Sequence, residues 1–471
     1  MWVRPSDDHE VVRQQDDRMA SAISVDLDVA LGTREELESD LAGLFGRRES
    51  RAHAMSYIRG LCSDLPRKNG WRIAEWAGDE RPDGKQRLLY KDKWDECVAR
   101  DRVRAFAARH LGDPDAGLVF DETGQEKAGT ATAGVGRQYT GTAGKITNAV
   151  VAVYATYASR HGHCLIDGDL YAQKGWFADP ERFAQAGFDP EHQFRTKPQI
   201  ALEQAERILA ADLPVAWMAA DEVYGRSSKF RQFFEKRDIT YVVAVGIDFQ
   251  VATRTGLSLR ADLIARTLPP KVWNRRSCGK GAKGPRVYDW AMVATTSPNH
   301  VLLIRRSITN PDDLTYFYVF VPEGQPLTLA RIVDIAGYRW MVEEDFQQSK
   351  GQAGLDHTQV RRYRSWLRHA ILAIAALAIQ AVTAAKQRKH HPDPILPTHG
   401  NDDPPDDYGL IALTVPEVHR LFMLHEELRD LPAPTAQRRV DFRWRWSTWR
   451  RRHQARARWF HHRARLARLA W

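Results

Sequence analysis

The sequence predicts an α/β protein, with a strand-rich core, a β-rich insertion, a helical domain in front and a basic helical tail behind. Three observations carry this. Apolar runs of strand length alternate with helical patterns over residues 113–249. The alternation gives way to consecutive strand-like segments over 250–325, and helical spacing returns over 326–390. At 471 residues the chain exceeds one ordinary core, so several domains are expected.

Residues 1–45 are polar and read as a loose leader, with one helix near Glu35–Phe45. Residues 46–112 read as short helices. Ala54, Ile58, Leu61 and Leu65 recur at helical spacing, Asn69-Gly70 ends that run, and Trp71–Trp76 and Gln86–Tyr90 are short helices. A longer helix over Trp94–His110 turns Val98, Val103, Phe106 and Ala107 toward a core. Arg67, Lys68, Arg72, Lys85, Arg87 and Lys91 surround the turns, so this domain is expected to contact DNA; solvated surface charge is the plainer reading.

The core opens on Ala116–Phe120, an apolar run ending at Asp121. Strands follow at Gln138–Thr142, Ala149–Tyr157 and His163–Ile166, a helix at Pro198–Ala211, a strand at Val215–Ala219 before Asp221, a helix at Ser227–Lys236 and a strand at Thr240–Val245. In the insertion, a glycine-rich basic loop (Gly279–Pro285) precedes strands at Trp290–Thr295, Val301–Arg306 and Thr315–Val321. Helices over Thr328–Lys350 and Arg364–Lys386 close the core, residues 391–408 form a linker, and 409–471 form the basic tail.

A formal charge of +9 points to a polyanionic partner. The four cysteines, Cys62, Cys97, Cys164 and Cys278, show no zinc spacing and no disulfide framework, which fits a reducing cytoplasm. The start of the chain shows no signal-peptide core, and the apolar stretch Ala370–Ala385 is shorter than the roughly 20 residues a bilayer needs. It reads as a buried helix.

Asp121 and Asp221 each follow an apolar strand, where an open α/β sheet places reactive groups. Glu343 sits on a predicted helix with Arg339, Phe346 and Lys350 at spacings of four, three and four, which share one face. A surface helix explains Arg339 and Glu343 as an ion pair but does not require Phe346 in the same stripe. Carboxylates from separate elements can converge on divalent ions. Glu122 and Glu344, beside the chosen residues, remain alternatives.

The pattern Arg339-x3-Glu343-x6-Lys350 resembles the signature of a group of bacterial insertion-sequence transposases in the DDE superfamily. Asp121-Glu122-Thr123-Gly124, Arg137–Lys145, Ala220–Gly225 and Gly354-Leu355-Asp356-His357 resemble the same group, in the same order over about Arg51–Lys386. The resemblance implies an RNase H-like catalytic core with the β-rich insertion between Asp221 and Glu343. It implies that Asp121, Asp221 and Glu343 hold two Mg²⁺ or Mn²⁺ ions, and that Arg339 and Lys350 contact phosphates. The expected function is metal-dependent cleavage and strand transfer at insertion-sequence ends, by a homodimer on double-stranded DNA. Two positions depart from the pattern: Ala336 stands where the group often has Tyr, and Gln125-Glu126 follows the first motif. The alternatives are a transposase-derived DNA-binding protein without activity and a nuclease that cuts without joining.

Lys280, Lys283 and Arg286, in the glycine-rich loop, are further candidate DNA contacts, against a mobile surface loop. The tail interleaves Arg443, Arg445 and Arg450–Arg452 with Trp444, Trp446, Trp449 and Trp459, a composition that can pair phosphates and stack on bases. Packing of the Trp residues on the core is the plainer reading.

Overall fold

A computed structural model describes residues 26–254, 256–281, 284–389, 394–429 and 431–469. The helices before the sheet are α1 (26–42), α2 (Arg48–Leu61), α3 (Gly70–Trp76), α4 (Asp83–Tyr90) and α5 (Glu96–Leu111). The stretch read as leader therefore holds a helix from residue 26, with Ala30, Leu37 and Leu41 buried on one face; residues 1–25 lie outside the described set. Asn69 caps α3 and Asp95 caps α5, each accepting backbone N–H bonds that the first turn leaves open. Val98 is exposed, so α5 buries Val103, Phe106 and Ala107 but not the fourth expected residue. Lys68 and Lys85 are buried too: Lys68 Nζ donates to the Gln352 carbonyl at 2.6 Å, and Lys85 pairs with Asp79 at 3.0 Å. These two lysines hold the fold together and offer no charge at the surface.

The strands are β1 (Gly117–Glu126), β2 (Gly136–Thr140), β3 (Lys145–Ser159), β4 (Gly162–Tyr171), β5 (Trp217–Ala220), β6 (Thr240–Val245), β7 (Gln250–Ala252), β8 (Ser258–Arg260), β9 (Asn274–Gly281), β10 (Gly284–Ala294), β11 (His300–Arg306) and β12 (Leu314–Phe320). Between them lie α6 (Pro180–Gln185), α7 (Lys197–Leu209), α8 (Glu222–Gly225), α9 (Ser228–Glu235) and α10 (Ala261–Arg266). One mixed sheet runs β2-β3-β1-β5-β6-β12-β11-β10-β9, with β4 also on β3. Strands β4, β3 and β1 are antiparallel, and β1, β5 and β6 are parallel. The insertion does not stand apart: β12 pairs antiparallel with β6, so β9–β12 extend the same sheet, while β7 and β8 form a separate two-stranded sheet. Of the glycine-rich loop, Lys280 and Gly281 on β9 pair with Pro285 and Gly284 on β10. Lys283 lies outside the described residues.

The chain continues in α11 (Leu329–Tyr338), α12 (Trp340–Ala353), α13 (Tyr363–Arg388), α14 (Val415–Leu428) and α15 (Ala433–Leu469). Helix α13 is long and apolar enough to cross a membrane by composition alone, but its apolar window is wholly buried inside the molecule. The expected helix over Thr328–Lys350 is two helices meeting at Arg339. Gly337 lies so close to β9 that a Cβ there would sit 1.7 Å from the Cys278 carbonyl oxygen, so α11 seats on the sheet only because that side chain is absent. All four cysteines are free.

Candidate active site

The parallel ladder between β1 and β5 ends at the pair Phe120–Ala220. Asp121 and Asp221 are the next residues on each strand, side by side where the two backbones part. Asp121 does not end β1, as its apolar run suggested: β1 continues to Glu126 along β3, with Asp121 opposite Tyr154. Asp221 caps α8, its carboxylate accepting the Val223 N–H at 2.9 Å.

Strand alternation sends the residues of β1 to opposite faces. Phe120 packs against Phe230 and Phe234 of α9. Glu122, on that same face, accepts from Lys197 at 2.6 Å and from the Tyr224 hydroxyl at 2.8 Å. Asp121 turns the other way, toward Arg339. Beyond the last β1–β5 pair the faces are no longer separated by sheet. Oxygens of Asp121, Glu122 and Asp221 all lie within 4.8 Å of one another.

Glu343 lines the same cavity, of about 500 Å³, but stands outside that close group. Arg339 lies between: Nη1 is 3.3 Å from Asp121 and Nη2 is 3.0 Å from Glu343. Lys350 reaches across to the cavity rim, donating to Thr123 Oγ1 at 2.6 Å and Thr142 Oγ1 at 2.8 Å. It ties β1 to the β2–β3 turn, and burial pulls its ammonium below the usual lysine range. Tyr139 and Thr140 at the end of β2, and Gly141 of that turn, also line the cavity. Gln125 donates to the carbonyls of Asp356 and Thr358, the latter at 3.2 Å, so this departure from the pattern fastens the loop after α12.

The acids repel one another in a poorly solvated place. Burial, then the charge of Asp221, pushes Asp121 up to about 7 despite Arg339. Burial, then the charge of Glu122, pushes Asp221 up to about 6. Such a cluster gains from a bound cation, and carboxylate oxygens suit hard divalent ions.

Glu344 faces away from this cavity, 3.4 Å from His163 on β4. Its neighbour Asp345 is fully buried and accepts from Thr156 Oγ1 on β3 and from His163 Nδ1, both at 2.8 Å. Burial alone would lower the His163 pKa, but Asp345 and Glu344 hold it up at about 9, so both ring nitrogens donate. These bonds set which way α12 faces. Phe346 packs edge-on against Tyr154 beside them.

Lys280 and Arg286 do not join the acidic cavity. They line a separate one with Trp340 and Glu344, where Arg286 donates to the Gly337 carbonyl at 3.1 Å. Sequence reading missed Lys197, Tyr224 and His163. Tyr224 lies within a recognised motif, but nothing local marks Lys197 or His163, since their partners are distant in the chain.

Acidic side chains gathered at the parting of two parallel strands, on a large mixed sheet covered by helices, are consistent with a DDE-type nuclease fold. Residues 40–260 match the model of the DDE superfamily endonucleases, and residues 195–379 match that of the transposase DDE domain. The chain is 26% identical over 318 residues to a probable transposase for insertion sequence element IS701 from Microchaete diplosiphon, covering 66% of this chain and 77% of that protein. Together these matches support an insertion-sequence DDE transposase.

Proposed function

We propose that the protein is an active transposase that cuts DNA at the ends of an insertion sequence and joins the freed 3′-hydroxyl to target DNA. The observation that carries the reading is the register of Asp121 and Asp221, which brings two carboxylates with raised pKa values into one cavity with Glu122 and Glu343. The strand order β4-β3-β1-β5-β6, antiparallel then parallel, supports an RNase H-like core.

Asp121, Asp221 and Glu343 would hold two Mg²⁺ or Mn²⁺ ions, with Glu122 as a fourth carboxylate already among the close oxygens. Bound there, such ions supply a more nucleophilic water or 3′-hydroxyl and stabilise the leaving oxygen. The chain's own groups do the rest. Arg339 offers a guanidinium to a phosphate once it is released from Asp121 and Glu343. Lys197 and Tyr224 keep Glu122 aimed at the cavity. Lys350 holds the rim turn beside the phosphates. The substrate is double-stranded DNA with terminal inverted repeats, bound by a homodimer in the cytoplasm.

One observation favours the second reading, a DNA-binding derivative without chemistry: Arg339 already neutralises Asp121 and Glu343. Incubation with DNA carrying the element's own ends, with Mg²⁺ or Mn²⁺, separates the two. Cleaved and joined products support the transposase; binding without cleavage supports the derivative; cleavage without joining leaves a nuclease.

A further inference from the structure

Helix α15 is seated on the molecule by part of its arginines. Arg450 pairs with the buried Glu417 at 2.7 Å, Arg451 donates to the Ile411 carbonyl at 2.7 Å, and Arg439 and Arg443 converge on Glu427. Trp444 and Trp459 are buried in the seat. Packing on the core, the plainer reading of the tail, holds for these two, whereas Trp446 and Trp449 stay exposed.

A second set of arginines does no such work. Arg445, Trp449, Arg452 and Arg456 are spaced by four, three and four, and so form one stripe along α15. They line a groove of about 420 Å³ between α15 and residues 407–409. Arg445 and Arg452 have no hydrogen-bond or ion-pair partner among the described residues, and Arg456 meets only the face of Phe460, 5.8 Å away. Trp449 is 55% exposed and stacks on His453 at 5.2 Å. On the groove floor Thr448 is 5% exposed and its hydroxyl has no partner. The one opposing charge in the lining is Asp407, which already accepts from the Gly409 N–H at 2.9 Å. Three guanidiniums against one carboxylate leave the groove positive. Both matched family models end at or before residue 379, so the groove lies outside them.

We propose that this groove is a second DNA site, which grips the sugar–phosphate backbone away from the acidic cavity. Arg445, Arg452 and Arg456 contact phosphates, and Trp449 supplies an aromatic face beside them. From Arg445 to Arg456 the helix advances about 16 Å at its usual rise. That spans several phosphates of one strand, which recur every ~3.4 Å along the duplex axis. The contacts read no sequence; they add affinity and hold DNA on the tail. The proposal rests on the chain acting on DNA, and not on its chemistry.

The test is fluorescence anisotropy of the full chain with a labelled duplex that lacks any element end, titrated with salt. Wild type is compared with R445Q/R452Q/R456Q, with R452E, with R438Q as an exposed arginine outside the groove, and with D121N/D221N. The triple variant is expected to bind at least about tenfold more weakly, with a log–log salt slope lower by roughly 2–3, because each lost phosphate contact removes about 0.9. R452E should weaken binding as well, R438Q should change little, and the melting temperature should hold because the groove side chains are exposed. An unchanged slope in the folded triple variant, or an equal loss per charge in R438Q, overturns the groove. D121N/D221N should bind like wild type; if it still cuts element ends, the catalytic reading fails while the groove is judged by its own slope.

Discussion

Asp121 and Asp221 are neighbours because each is the first residue beyond the last pair, Phe120–Ala220, of the parallel β1–β5 ladder. The D121N and D221N variants should lose metal-dependent cleavage by at least about a hundredfold, since a metal site is emptied rather than adjusted. Gel-shift affinity for element ends should persist. Cleavage near the wild-type rate in either variant would remove that residue from the site.

Arg339 bridges Asp121 and Glu343, whereas Glu122 is held by Lys197 and Tyr224. E343Q and E122Q therefore test different things. If Glu343 moves onto the metals when DNA displaces Arg339, E343Q abolishes cleavage and E122Q lowers it less. Calorimetric Mn²⁺ titration of the DNA-free protein should show the opposite order, with E122Q losing more affinity. The reverse ranking in the cleavage assay would make Glu122 the third ligand.

The acidic cluster makes metal-free stability depend on pH. With Asp121 raised to about 7 and Asp221 to about 6, the folded state holds protons that the unfolded chain has released. Stability from these groups is therefore full at about pH 4 and falls as pH rises to about 7. Asp26, which burial raises to about 6, acts in the same sense, so the difference between wild type and D121N/D221N isolates the cluster. Mn²⁺ should raise the wild-type melting temperature more at about pH 8 than at about pH 5.5. Equal gains at both pH values would contradict a shared metal and proton site.

The orientation of α12 depends on the buried Asp345. D345A leaves His163 and Thr156 without their acceptor and should cost about 3 kcal/mol in denaturant unfolding. H163Q, which keeps a donor, should cost less. A loss under about 1 kcal/mol for D345A would show that apolar packing alone orients the helix.

At Gly337, α11 lies against the Cys278 carbonyl of β9 with no room for a Cβ. G337A should destabilise by about 1–3 kcal/mol through overpacking and shift Arg339, the next residue but one. Chemical denaturation reads the first effect and cleavage the second; a variant as stable as wild type would mean that the two elements separate freely.

Much of this protein is determined by its sequence alone. Apolar runs of the right period mark β1, β5 and β6, helical spacing marks α7 and α13, and the Arg339–Glu343–Lys350 stripe marks α12, because these signals are local to each element. Tertiary structure decided what local signals do not encode. The β1–β5 register, set between strands about a hundred residues apart, juxtaposes Asp121 and Asp221. The end of that ladder lets Glu122, from the opposite face, join them. Burial turned Lys68 and Lys85 from expected surface charges into internal ties, and His163 and Asp345 found each other only through the packing of α12 on β4. Pairing between distant residues depends on how the whole chain closes its core, and no local window of sequence carries that information.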